Sequence, residues 1–65
     1  MIREATYKLF YTKFERNNIV TVNLLMKELK ISRPTATQFV KELIEFTVIE
    51  PIFTISMDKS YKVIK

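Results

Sequence analysis

The chain lacks cysteine, histidine, glycine and tryptophan, and it has only two prolines in 65 residues. Without cysteine there is neither a disulfide framework nor a thiolate metal site. Without histidine the commonest general base and the commonest metal ligand are both missing. Without glycine, any turn that needs positive φ must use another residue, and Asn and Asp tolerate the left-handed region best. Asn17-Asn18 and Asp58-Lys59-Ser60 are therefore the expected turns. No apolar run approaches the roughly 20 residues of a membrane span. The start, MIREATYKLF, carries Glu4 and lacks a signal-peptide cleavage pattern, so the expected compartment is cytoplasmic.

What remains is an ordinary globular composition, 48% hydrophobic and 28% charged. The length allows one domain, residues 1–65. A chain of this size buries about 60% of its unfolded surface, enough for one modest core. Eleven basic against seven acidic residues leave a net charge of +4, which favours an anionic partner mildly. No repeat, linker or low-complexity segment interrupts the chain.

Periodicity supplies the element order. Ile2, Ala5, Leu9, Phe10 and Phe14 form one helical stripe with Tyr7 and Tyr11 at its flank, which predicts helix 1 over about 2–16. The β-branched pair Ile19-Val20 suits a strand stub. Thr21 is an N-cap candidate for helix 2 over about 22–30, where Val22, Leu25, Met26 and Leu29 turn inward. Ser32 is the N-cap candidate for helix 3 over about 33–46, with Pro34 in the turn that tolerates it. Ala36, Phe39, Val40, Leu43 and Ile44 make its inward stripe. Pro51 ends any helical continuation, and a hairpin is expected over about 51–64. Two helices across a short turn, followed by a hairpin, give an α+β winged helix-turn-helix: a three-helix bundle with a C-terminal β-hairpin wing.

The stretch ELKISRPTATQFVKELIEFTVIE, residues 28–50, resembles winged helix-turn-helix proteins. Within that superfamily Ile31-Ser32-Arg33-Pro34-Thr35-Ala36-Thr37 with Lys41-Glu42-Leu43 is most similar to the C-terminal winged-helix domain appended to Fic-family proteins. The resemblance implies DNA binding, or docking beside an enzyme within a larger protein. The histidine- and glycine-containing Fic catalytic signature is absent, so the resemblance implies the appended domain and not the enzyme. Lys30 and Thr47 stand where the family usually has glycine. A left-handed lysine costs on the order of 1 kcal/mol. A β-branched threonine is far less suited, so the chain is expected to leave helix 3 by another geometry near Thr47.

Arg33, Thr35, Thr37, Gln38 and Lys41 are the expected reading residues. Arg33 can pair with guanine and Gln38 with adenine; the threonines suit phosphates or a thymine methyl. Lys27, Lys30, Lys59 and Lys62 are the expected phosphate contacts. The same groups also suit the solvated side of an amphipathic helix and a hairpin kept soluble by lysine. Glu42 and Glu45 are expected on the outward side of helix 3, where they would repel phosphates. Tyr7 and Tyr11 lie off the core stripe and suit a protein contact or a homodimer seam. No nucleophile–base constellation, cofactor motif or metal site is present, so no enzymatic activity is expected. Sequence-specific binding of double-stranded DNA, as a transcription-regulator-type module, is the leading expectation. A protein-interaction or regulatory docking domain without DNA binding is the alternative.

Overall fold

A computed structural model describes residues 3–52 and 59–65. It is an α+β domain with three helices and a three-stranded antiparallel sheet. The elements run α1 (Glu4–Lys13), β1 (Ile19–Val20), α2 (Val22–Leu29), α3 (Arg33–Glu45), β2 (Ile49–Ile52) and β3 (Ser60–Val63). Strand β3 lies between β1 and β2. Ile19 faces Lys62 and Val20 faces Tyr61 on one side; Ile49 faces Val63 and Glu50 faces Lys62 on the other. The strand stub is thus a full member of the sheet. Ile2 and the stretch Phe53 to Asp58, expected to complete the first hairpin strand and its turn, lie outside the described residues.

The capping residues act as expected. The Thr21 hydroxyl accepts from the Leu24 N–H at 3.1 Å and starts α2. The Ser32 hydroxyl accepts from the Thr35 N–H at 3.4 Å and starts α3, with Pro34 in the first turn. Each serves an N–H that the helix itself leaves orphaned.

Helix α1 is shorter than its periodicity predicts. It stops at Lys13, with Phe14 already extended. The chain then turns on Asn17, whose φ is 76°. The Glu15 N–H donates to the Asn18 side chain at 2.8 Å, and the backbone of Asn17 and Asn18 bonds to Val63 at 2.7 and 2.9 Å. The turn that Asn17 and Asn18 make against β3 thus draws in Glu15, whose backbone bonds to Asn18 and not along a helix. Leu9 and Ala5 face water, so only Phe10 and Phe14 of the described stripe enter the core.

Both left-handed positions after the helices are occupied. Lys30 sits at φ 54° and ψ 48° and ends α2. Thr47, expected to avoid this region, sits at φ 59°. The reason is a complete Schellman cap: Val48 N–H donates to Leu43 C=O at 2.8 Å and Thr47 N–H to Ile44 C=O at 3.0 Å. Val48 and Leu43 are both buried, so the cap closes with the apolar contact that usually accompanies it. These gains offset the strain of a β-branched residue in that conformation. Strand β2 consequently starts at Ile49, two residues earlier than expected.

The core centres on aromatic edge-to-face pairs between α1 and α3. Phe10 and Phe39 meet at 5.5 Å and Tyr7 and Phe39 at 4.9 Å, with rings near perpendicular. Leu25 and Leu29 come in from α2, and Val20, Ile49, Tyr61 and Val63 from the sheet. Ile44, expected inside, is 38% exposed. Tyr7 is not free for a partner: its Oη donates to Glu42 Oε1 at 3.2 Å. Partial burial, then the adjacent Glu42 carboxylate, push the Tyr7 hydroxyl up to about 12. Glu42 is the second correction on α3. It is buried, 7% exposed, under α1 and not on the outward side.

Candidate nucleic-acid interface

Helix α3 presents residues in rows because its side chains advance about 100° each. Arg33, Thr37, Lys41 and Ile44 follow at intervals of four, four and three, which stacks them on one side. Opposite them lie the first turn of α2 and the start of β3. Together these elements enclose an open cleft of about 470 Å³. Its floor is apolar: Val22, Val40, Ile44 and Tyr61. Its rim is polar and cationic: Thr21, Asn23, Arg33, Thr37, Lys41 and Lys59. Among the described residues no acidic side chain lines it.

Four of the expected site residues therefore meet: Arg33, Thr37, Lys41 and Lys59. Arg33 is placed by a bond from its Nη2 to Asn23 Oδ1 at 2.9 Å, across the turn between α2 and α3. Among the described residues neither Arg33, Lys41 nor Lys59 has an ion-pair partner. Elsewhere lysines are partly neutralised, as in the Lys8–Glu4 pair at 3.8 Å and the Lys13–Glu28 pair at 3.6 Å.

The other five expected residues sit differently. Thr35 is half-buried, and its hydroxyl accepts from Ser32 Oγ at 3.0 Å, so it serves the cap of α3. Gln38 is exposed on the outer side of α3, past Lys41 and away from the cleft. Lys27 and Lys30 are exposed on the second half of α2 and beyond its end, and neither reaches the cleft. Lys62 alternates with Tyr61 and Val63, which face the core, so it stands on the opposite face of the sheet. There it lies in register with Glu50.

Sequence reading missed Thr21, Asn23, Ile44 and Tyr61 as neighbours of this cluster. The Thr21 cap signal marked where α2 begins, but only the crossing of α2 over α3 brings that end to Arg33. Of the two acids on α3, Glu45 alone remains outward. Among the described residues no group of acids could hold a metal ion, and no helix is long and apolar enough to cross a membrane.

A scan against known protein families finds no matching family model, and a search of curated proteins finds no match.

Proposed function

We propose that this chain is a winged helix-turn-helix module that binds double-stranded DNA, with α3 as the recognition helix and the β2–β3 region as the wing. The observation that carries this reading is the collection of Arg33, Thr37, Lys41 and Lys59 around one cleft that, among the described residues, no acid lines. Three cations without ion-pair partners among the described residues raise the local potential above what a net charge of +4 spread over the surface would give. The amino end of α2 opens into the same cleft, and a helix amino end favours anions. A helix of 13 residues spans about 20 Å and enters the major groove by its first turns, which here carry Arg33 and Thr37. The place of Glu42 strengthens the reading, because it turns one of the two carboxylates expected to face phosphate toward α1 and off the outward side.

The test is titration of a labelled duplex at two salt concentrations. Neutralising three phosphates predicts a fall in affinity of about 40-fold between 50 and 200 mM salt, taking a log–log slope of about −0.9 per phosphate. Affinity insensitive to salt sinks the proposal.

A second reading, docking of a protein partner without DNA, is favoured by the apolar floor of the cleft and by Phe46, half-exposed at the end of α3. Replacing Arg33 and Lys41 together by alanine separates the two. It abolishes duplex binding under the first reading and leaves partner binding intact under the second. Attachment to a Fic-like enzyme, homodimer formation and a cytoplasmic setting belong to this proposal; the first rests on the resemblance of residues 31–37 and Lys41-Glu42-Leu43 alone.

A further inference from the structure

We infer that Asn23 is a positioning residue that holds the Arg33 guanidinium in one plane for guanine recognition. This deepens the DNA-binding reading and rests on it. Arg33 is the first residue of α3, where a long side chain on a helix tip has wide rotamer freedom. A bidentate pair to the O6 and N7 of guanine needs a single guanidinium plane. Asn23 supplies a fixed point for that plane, because it stands second in α2, one residue past the start that the Thr21 cap secures. Its Oδ1 accepts from Arg33 Nη2 at 2.9 Å. That bond uses one edge of the guanidinium and leaves the other N–H groups for a ligand.

The chemistry of the partner decides its role. A carboxylate in place of Asn23 would also orient the arginine, but it would cancel the charge that an anionic ligand requires. A neutral amide orients without neutralising. Both side chains line the same cleft, so the restraint acts where the cations gather.

The experiment selects preferred sequences from a pool of randomised duplexes with the unaltered chain and with Arg33→Ala. The base position whose guanine preference disappears in Arg33→Ala is the one Arg33 reads. At that position Asn23→Ala is expected to lower the guanine preference about tenfold, within the range of one bidentate pair. Its affinity for random duplex and its salt slope stay as they were, since no phosphate contact is removed. Asn23→Asp keeps the preference but weakens binding to all sequences. In the free protein, NMR relaxation of the Arg33 Nε–H shows greater mobility in Asn23→Ala and restored order in Asn23→Asp. An undiminished guanine preference in Asn23→Ala, equal weakening on every sequence, or unchanged Arg33 mobility overturns the role of Asn23 and leaves DNA binding standing. Absence of salt-dependent duplex binding by the unaltered chain overturns both.

Discussion

Lys41 and Glu42 are neighbours in sequence and have opposite fates. Lys41 stands at the rim of an open cleft, without an ion-pair partner among the described residues. Glu42, one step round the helix, is sealed beneath α1 and receives the Tyr7 hydroxyl. The two flanks of α3 are thus different materials. On the α1 side the aromatics Tyr7, Phe10 and Phe39 interlock, and polar groups there are held by hydrogen bonds. On the cleft side Arg33, Thr37 and Lys41 face open space over an apolar floor. A charged residue on a helix is available for binding only where no other element covers its side.

The sharpest way to break this contrast is to remove the aromatic side of it. Phe39→Ala should cost about 3–5 kcal/mol, through lost burial and the cavity left at the centre of the ring cluster. That is a large part of the roughly 5–15 kcal/mol that holds a domain together, so the urea midpoint of the variant should fall sharply. Next comes Tyr7→Phe, which deletes a hydrogen bond to a buried carboxylate and should cost about 1–3 kcal/mol. The same group makes a pH prediction. Tyr7 loses its proton at about 12 in the folded chain, against about 10 when unfolded. The unfolded form therefore binds fewer protons between those values, so this contribution is complete below pH 10 and is lost as pH rises toward 12. Thermal melts across that window should show a decline that is smaller in Tyr7→Phe.

Thr47→Gly tests the end of α3 from the stabilising direction. It relieves the left-handed threonine while keeping the Schellman bonds. The expected gain is about 1 kcal/mol, a rise of about 4–8 °C in Tm. An unchanged or lowered melting temperature would mean that threonine is unstrained there. The smallest effect on stability belongs to Arg33→Ala with Lys41→Ala, within about 0.5 kcal/mol, because both are exposed. If the cleft side is a binding surface, this same variant loses its affinity for duplex in a gel-shift titration while its melting curve stays in place.

Much of the architecture is legible in the sequence. The element order, both N-caps and the inward sets of α2 and most of α3 follow from spacing and from Thr21, Ser32 and Pro34. The misses have specific causes. A helix over 2–16 reads well locally, but Phe14 is already extended and the turn before β1 takes the backbone of Glu15 into its own hydrogen bonds. Ile44 reads as inward by hydrophobicity, but its position leaves it beside the cleft. Thr47 reads as unfit for positive φ, but the cap and the burial of Val48 outweigh its preference. Of the nine expected binding residues, the structure gathers Arg33, Thr37, Lys41 and Lys59. Charge alone nominated Lys62, and strand alternation with the Glu50 register turns it away.

Sequence by itself determined where helices start, which residues repeat on an apolar side, and which chemistries lack their residues, because these depend on neighbours within a few positions. Tertiary structure alone decided that Glu42 is covered and Lys41 is not, and that Asn23 reaches Arg33. Those outcomes depend on how α1 and α2 cross α3, and contacts between segments distant in the chain leave no period in the sequence to read.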